Sequence, residues 1–239
     1  MQAKVEAYAS EIASRAFPRS HLEIDDRWSS KYGDLQFDPI KFPDAPGMVQ
    51  RLHALGFTVT AWVVPFAEPS ADAYAEGVAG GYWLRNTSSD GANHGRPLPI
   101  TWWQGEGVAL NVSDEAALAW FERRLRGLMD STGVDGFKFD AGEAMFVPDG
   151  VMADPNEYCR QWVRFAARFG GGGEVRCASR TQAAGIWTRE FDKDSRWGLQ
   201  NGLRALVTAA LQLGVLGYPF ALPDMVGGNA VSRWRLHDL

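Results

Sequence analysis

The chain has 239 residues, of which 46% are hydrophobic and 22% are charged, and its formal net charge is −5 with a pI near 5.4. This composition is that of a soluble globular protein with a sizeable core, and one domain is expected because α/β barrels commonly reach this length. The acidic balance argues against a nucleic-acid partner, which would require clustered positive charge.

Cysteine usage and the start of the chain say little about the compartment. Cys159 and Cys177 are too few for a disulfide framework, so two buried thiols are expected, although a single bridge is compatible with them. The first residues lack the apolar core of a signal peptide, and no later stretch predicts a membrane span. We expect a soluble chain without a membrane segment, whose compartment and oligomeric state stay open.

In the first part of the chain, helical stripes alternate with short apolar runs. An amphipathic helix is predicted over residues 5–16, and "HLEIDD" (21–26) follows as a short strand. A further helix is predicted over 47–55, because Gly56 is a good C-terminal stop. The β-branched run over 57–66 predicts a buried strand.

A segment rich in Gly, Ser, Asn and Pro runs from about residue 67 to residue 107. It is too long for an ordinary connection, so it predicts a functional loop or a subdomain. Ser113 is predicted to cap the next helix, with Asp114 and Glu115 in the first turn, where acidic side chains complement the helix dipole.

The same alternation continues to the end of the chain. Strands are predicted over 134–139, 174–179, 185–191 and 214–224, with helices from Pro155 to Phe169 and over about 199–213. Alternating strands and helices predict a parallel sheet with crossover helices.

The predicted architecture is α/β, a (β/α)8 TIM-type barrel. A doubly wound open sheet shares the alternation, but no Gly-rich phosphate fingerprint follows a strand here. Six strands are recognisable, whereas a closed barrel has eight. We therefore expect residues 1–239 to form a partial catalytic barrel that lacks its first strand and its C-terminal end, with the loop or subdomain at about 67–107.

Polar side chains follow several strands at the edge where a barrel builds its active site. Lys138 and Asp140 are two residues apart on one strand, so both side chains point to the same side of the sheet. A cation there would keep Asp140 ionised, as a nucleophile requires, while a buried salt bridge is the structural alternative. Asp192 and Asp194 precede a helix, where they can cap it or supply a general acid.

Other residues suit sugar recognition. The adjacent Asp25 and Asp26 can bind vicinal hydroxyl groups, and Trp28 and Trp103 can stack on a sugar ring. Arg180, at a predicted strand end, can clamp hydroxyl groups or steady the nucleophile. For each residue alone a structural role is at least as frequent, and a tryptophan most often packs on the core.

Several of these motifs together resemble glycoside hydrolase family 31, and within it the branch around the myogenesis-regulating glycosidase and its bacterial relatives. The motifs are "GFKFDAGE" (136–143), a downstream "SR" (179–180) and "GYPFALPDMVGG" (217–228). The similarity extends over residues 22–44 and 191–229. The resemblance implies a β/α barrel and retaining hydrolysis of α-glycosides, with an oligosaccharide or glycoside as substrate and no cofactor.

The resemblance also implies roles for single residues. Its Lys-x-Asp strand places the nucleophile at Asp140 and the lysine at Lys138, and the acid/base residue falls on Asp194 with Asp192 as the near rival. The sugar-binding positions fall on Asp25, Arg180 and Asp224. Pro223 stands where many members of the family have His, and the branch is associated with α-galactosides, so galactose is the expected sugar.

Two other functions stay open from the sequence. The chain can be an inactive carbohydrate-binding or structural part of a barrel. It can also be a metal-dependent enzyme with Asp25, Asp140, Glu143 and Asp224 as oxygen ligands, although Lys138 beside Asp140 argues against a cation there.

Overall fold

The computed structural model describes residues 1–86, 95–170 and 172–224. The helices of these ranges are α1 (Gln2–Ser14), α2 (Ala45–Ala54), α3 (Asp72–Gly80), α4 (Glu115–Thr132), α5 (Asn156–Ala166) and α6 (Leu203–Val215). The strands are β1 (His21–Ile24), β2 (Thr58–Val63), β3 (Phe66–Ala67), β4 (Pro99–Trp102), β5 (Gly105–Ala109), β6 (Gly136–Phe139), β7 (Glu174–Val175), β8 (Trp187–Arg189) and β9 (Ala221–Leu222).

The main sheet has six parallel strands in the order β1-β2-β6-β7-β8-β9. Helix α2 connects β1 to β2, α5 connects β6 to β7, and α6 connects β8 to β9. Each of the six strands lies within one predicted from the sequence, although β9 covers only two residues of the predicted 214–224 and α6 takes residues 214 and 215. The alternation is that of a partial β/α barrel. The carboxyl ends of all six strands therefore lie along one edge.

The central strands are buried on both faces, which explains their continuous apolar sequence. Every residue of β6 is buried, and so are residues 59–63 of β2. Helix α5 covers β6 with a fully buried Trp162, whose ring meets the edge of Phe139 at 5.4 Å between centroids. This packing fixes the strand that carries Asp140.

The segment predicted as a loop or subdomain at 67–107 is folded where it is described. It contains α3 and the hairpin β4–β5, and β5 also pairs with β3 in a three-stranded antiparallel sheet. Trp102 pairs with Gly105, so Trp103 lies in the turn of the hairpin. Residues 87–94 lie outside the described ranges.

Two helix starts differ from the sequence prediction because an aspartate supplies the cap. Asp44 Oδ1 accepts a hydrogen bond from Gly47 N at 3.0 Å, so α2 begins two residues earlier than predicted. Asp114 Oδ1 accepts one from Ala116 N at 2.9 Å, so Asp114 caps α4 and the prediction of Ser113 was wrong.

Helix α6 also differs from its prediction. It begins at Leu203 after Gly202, whose φ of +140° suits a residue without a side chain. Leu199 precedes the helix and is exposed, whereas Leu206 within it is buried. Among the helices that the structure describes, none is long and apolar enough to cross a membrane.

Candidate active site

The carboxylate of Asp140 lies at the end of β6 and is buried. Its Oδ2 accepts a hydrogen bond from Trp62 Nε1 at 2.9 Å, and its Oδ1 accepts one from Arg189 Nη2 at 3.0 Å and lies 3.3 Å from Arg176 Nη1. Burial alone would raise the pKa of Asp140, but Arg176, Arg189 and Trp62 outweigh it and hold that pKa below its usual range. Asp140 is therefore an ionised carboxylate at neutral pH.

The strand register explains why two arginines meet Asp140. Phe139 of β6 pairs with Val175 of β7, and Val175 pairs with Thr188 of β8. The next residue on each of these strands therefore lies at the same level of the sheet, and these residues are Asp140, Arg176 and Arg189.

Arg189 connects three carboxylates. Besides Asp140, its Nη1 donates to Asp192 Oδ1 at 2.7 Å and lies 3.5 Å from Asp224 Oδ1. Its side chain is only 4% exposed. Burial lowers the pKa of Arg189, but Asp140, Asp192 and Asp224 more than offset this and raise it. One guanidinium thus gathers acidic groups from β6, from the segment after β8 and from the end of β9.

The predicted role of Lys138 as the cation beside Asp140 was wrong. Its Nζ instead donates to Glu23 Oε1 at 2.8 Å and to Asp25 Oδ2 at 3.1 Å. The long side chain spans β2 and reaches β1, so sharing a side of the strand with Asp140 does not bring the two groups together. The arginines provide the positive charge that Lys138 was expected to provide.

The interior of the sheet below Asp140 is rich in carboxyl groups. Burial raises the pKa of Glu23 to about 8, although Lys138 opposes the shift. Burial also raises the pKa of Glu174, which lies opposite Lys138 in the sheet, and Lys138 and Arg189 oppose this shift. Burial therefore favours the neutral form of Glu23 and acts in the same direction on Glu174.

The acidic pair after β1 divides into two environments. Asp25 binds Lys138, yet 55% of its side chain is exposed. Asp26 accepts hydrogen bonds from Tyr32 Oη at 2.7 Å and from Gln104 Nε2 at 3.2 Å. Asp25 therefore keeps more free surface for a ligand than Asp26 does.

The two tryptophans predicted to stack on a sugar also differ. Trp28 is only 3% exposed, its ring packs on Phe37 at 4.8 Å, and its Nε1 donates to the carbonyl of Trp62 at 2.7 Å. The stacking role predicted for Trp28 was therefore wrong, since its ring belongs to the core and supports the strand that carries Trp62.

Trp103 is 44% exposed and lies next to the residues that bind Asp140. Its ring is 6.5 Å from that of Trp62 and 5.5 Å from that of Phe146, and the Arg176 guanidinium lies 4.9 Å from its centroid. Trp103 thus forms an accessible aromatic wall beside the nucleophile candidate.

The sequence prediction gave no role to Arg189, and it also missed Arg176. Its Nε and Nη2 bind Glu143 at 2.5 and 3.1 Å, so Glu143 holds the guanidinium against Asp140. Arg180 lies in an exposed turn with φ of +54°, and the prediction that it steadies the nucleophile was wrong. The sequence feature that could have identified Arg176 is its position two residues after Glu174, which places it on the inward side of the strand. A sugar contact by Arg180 stays a prediction.

The two acid/base candidates have different partners. Asp192 binds Arg189, the arginine that also binds Asp140, and 52% of its side chain is exposed. Asp194 Oδ2 binds the exposed Arg196 at 2.8 Å instead. The structure brings Asp192 to the Asp140 cluster, while the described contacts of Asp194 lead away from it.

The last predicted site residue, Asp224, is part of the cluster. Its side chain is 5% exposed, and its Oδ2 is a buried atom that has no hydrogen-bond partner among the residues that the structure describes. Its backbone carbonyl accepts a hydrogen bond from Lys193 Nζ at 3.0 Å, which ties the end of β9 to the segment that carries Asp192. Gly227 and Gly228 of the same motif lie outside the described residues.

A metal site at Asp140 conflicts with these contacts. Two guanidinium groups meet the carboxylate that would have to bind a cation. In the described ranges, no group of three or more His, Cys, Asp or Glu side chains is arranged to hold a metal ion.

Comparison with known proteins adds an independent line of evidence. Residues 1–167 match the model of the glycosyl hydrolases family 31 TIM-barrel domain. The chain is 40% identical over 238 residues to the myogenesis-regulating glycosidase of Mus musculus, covering 97% of this chain and 32% of that protein. It is 29% identical over 141 residues to an α-xylosidase of Emericella nidulans, covering 58% and 17%.

The solved structures agree on the fold. A GH31 α-xylosidase from a soil metagenome, complexed with xylose, superposes with a TM-score of 0.80 at 20% identity, covering 95% of this chain and 35% of that one. The chain thus spans about a third or less of the length of the mouse and Emericella relatives.

Proposed function

Because this chain belongs to glycoside hydrolase family 31 and forms part of a TIM barrel, we propose that it hydrolyses α-glycosides with retention of configuration. The observation that carries the proposal is the buried, ionised Asp140 at a strand end, held by Trp62, Arg176 and Arg189. A carboxylate fixed in this way is already in the form that attacks an electrophilic carbon.

In the first step, an oxygen of Asp140 forms a bond to the anomeric carbon while the bond from that carbon to the leaving oxygen breaks. A second carboxyl group donates its proton to the leaving oxygen. In the second step the same group, now a carboxylate, takes a proton from water, and the water oxygen displaces Asp140. The two inversions give net retention, and the guanidinium of Arg189 stabilises Asp140 as the leaving carboxylate.

The contact pattern supports Asp192 as the first candidate for the second carboxyl group, with Asp194 as the alternative. Retaining enzymes hold their two carboxyl groups about 5–5.5 Å apart. Arg189 binds both Asp140 and Asp192, whereas Asp194 is bound by Arg196. The exposed surface of Asp192 leaves room for a leaving group and then for water.

We take an α-galactoside as the substrate. The support is the resemblance of the sequence to one branch of the family, including Pro223 at the position where many family members have His. Relatives named as α-xylosidases make α-xylosides the first comparison. Aryl α-galactoside, α-xyloside and α-glucoside with the same leaving group separate the sugars, and faster turnover of the xyloside would reject galactose.

The test of the mechanism compares Asp140→Ala, Asp192→Ala and Asp194→Ala on an aryl α-galactoside. Asp140→Ala is expected to abolish turnover, and azide is expected to restore part of it as the β-galactosyl azide, because azide attacks from the vacated side. Loss of the acid/base residue is expected to lower turnover by about 10²–10⁴-fold for a poor leaving group and far less for dinitrophenolate. In the variant that lacks the acid/base residue, azide is expected to give the α-galactosyl azide. Unchanged turnover of Asp140→Ala would reject the mechanism.

Carbohydrate binding without hydrolysis is the second candidate. The observation in its favour is the openness of the site, since Asp192 and Trp103 are both about half exposed. A general acid works best where water is excluded. This candidate predicts sugar-dependent shifts in NMR spectra of the chain with no product after prolonged incubation of the pure, monodisperse protein.

A further inference from the structure

Glu174 is an interior carboxyl group to which neither the sequence motifs nor the proposed mechanism gives a role. Its Cα pairs with that of Lys138 on β6 and with that of Trp187 on β8. Side chains alternate along a strand, so Glu174 points to the same side as Arg176, two residues later, whose guanidinium reaches Asp140. Glu174 therefore faces the candidate active site one layer below Asp140.

The contacts of the neighbouring carboxyl groups set Glu174 apart. Glu23 and Asp25 bind Lys138, and Asp140 binds two arginines. In the part of the chain that the structure describes, no hydrogen bond or ion pair reaches the Glu174 carboxyl group. Glu174 is half-buried, and a polar group in such a position without a protein partner is satisfied by water or by a bound ligand.

Asp224 supplies a second and independent observation. Its side chain is more than nine-tenths buried, and within the described ranges its Oδ2 has no hydrogen-bond partner. Leu222 pairs with Arg189, so Asp224, two residues later, faces the same side of the sheet as Arg189 does. After burial, the charge of Asp224 is among the causes that raise the pKa of Glu174. Two carboxyl groups with unused hydrogen-bonding capacity thus face one space.

The geometry points to Glu174 as a further substrate-binding residue, which together with Asp224 receives hydrogen bonds from hydroxyl groups of the glycosyl unit. This inference rests on the proposed function. Neutral hydroxyl groups fit better than an acidic sugar, because Lys138 and Arg189 already face five acidic side chains: Glu23, Asp25, Asp140, Asp192 and Asp224. The competing role for Glu174 is that of a structural counter-ion for Lys138.

The experiment measures kcat/KM for an aryl α-galactoside and for its 3-, 4- and 6-deoxy analogues. Glu174→Ala is expected to lower kcat/KM for the parent substrate by about ten- to a hundredfold. It is expected to leave kcat/KM nearly unchanged for the analogue that lacks the bound hydroxyl group. Glu174→Gln keeps an acceptor oxygen and is expected to recover most of the loss.

Glu23→Gln is the matched control, because Glu23 is an interior carboxyl group on β1 that already has Lys138 as its partner. Glu23→Gln is expected to change kcat/KM by the same factor for all four substrates. The inference is overturned if Glu174→Ala also acts by one common factor across the series. If Glu174→Ala does not fold, Glu174→Asp replaces it, since removal of one methylene withdraws the carboxyl group from the hydroxyl while keeping the same chemical group.

If the proposed function is wrong, the wild-type chain itself shows no turnover, and this outcome is distinct from a failure of the inference about Glu174. In that case the binding of galactose and its deoxy analogues is measured by calorimetry with the same variants. Loss of affinity on Glu174→Ala that disappears for one deoxy sugar supports the inference. Equal affinities for all sugars, or no binding by any variant, overturn it.

Discussion

Replacement of Arg189 by Met removes the charge that three carboxylates share, while it keeps much of the apolar volume of the side chain. Breaking a buried ion pair by removing one partner costs about 3–5 kcal/mol, because the other charge stays buried. Asp140 and Asp224 are buried, whereas Asp192 is half exposed and adds at most about 1 kcal/mol. Arg176 still faces Asp140, so the expected loss is about 3 kcal/mol.

The loss is expected to depend on pH. In the wild-type chain the pKa of Asp140 is held below its usual range, so its contribution to stability is present above the unfolded-state value of about 4 and disappears as the pH falls through the lowered pKa. Without Arg189, one of the groups that lower the pKa of Asp140 is lost while Arg176 stays, so that pKa is higher than in the wild-type chain and the variant loses less stability as the pH falls from 7. The difference between the two proteins is therefore largest at pH 7 and smaller at pH 4.

Urea denaturation followed by tryptophan fluorescence at both pH values measures this difference. Arg196→Met is the control, because Arg196 pairs with Asp194 at the surface and its loss is expected to cost less than about 1 kcal/mol. A loss of less than about 1 kcal/mol for Arg189→Met at pH 7, or a loss that is the same at both pH values, would refute the electrostatic account of the cluster.

Three further predictions concern the surroundings of Asp140. Burial raises the pKa of Glu23 from 4.5 to about 8, so the stability of the chain is expected to fall as the pH rises through that window. Glu23→Gln is expected to reduce this change in stability between pH 4.5 and pH 8, measured as melting temperatures. The same change in the variant as in the wild-type chain would contradict the prediction. Gly142→Ala is expected to lower the free energy of unfolding by about 3 kcal/mol or more, because φ is +92° and a Cβ would lie 2.4 Å from Trp162 Cδ1. The control Gly127→Ala in α4 places its Cβ where no atom lies within 4 Å, so it is expected to stabilise the chain by up to about 1 kcal/mol. Urea denaturation measures both, and equal effects of the two variants would be inconsistent with this. Trp103→Ala is expected to raise KM about three- to tenfold with little change in the unfolding midpoint, and an unaltered KM would remove Trp103 from the site.

The strands and the nucleophile candidate were predictable because their signals are local. A continuous apolar run followed by Asp140 identifies both the buried strand and its polar end. The side of the sheet on which Lys138 lies also follows from the two-residue period. The reach of a long side chain does not follow from it, so the sequence could not show that Lys138 binds Glu23 and Asp25 on β1.

The remaining features depend on contacts between distant parts of the chain. Arg189 meets Asp140 from 49 residues away, and this contact follows from the pairing of three strands rather than from any local pattern. Trp28 is buried because its indole nitrogen binds the carbonyl of Trp62, 34 residues later. Local sequence does not distinguish such a tryptophan from an exposed one like Trp103.

The proposed mechanism requires that Asp140 becomes covalently attached to the sugar. Incubation with 5-fluoro-α-galactosyl fluoride, which slows the second step of a retaining enzyme, followed by proteolysis and peptide mass spectrometry, tests it directly. One fluorogalactosyl group is expected on the peptide that contains Asp140, and no label is expected in Asp140→Ala. Label on Asp192 or Asp194, or release of β-galactose as the first product of an α-galactoside, would contradict the claim.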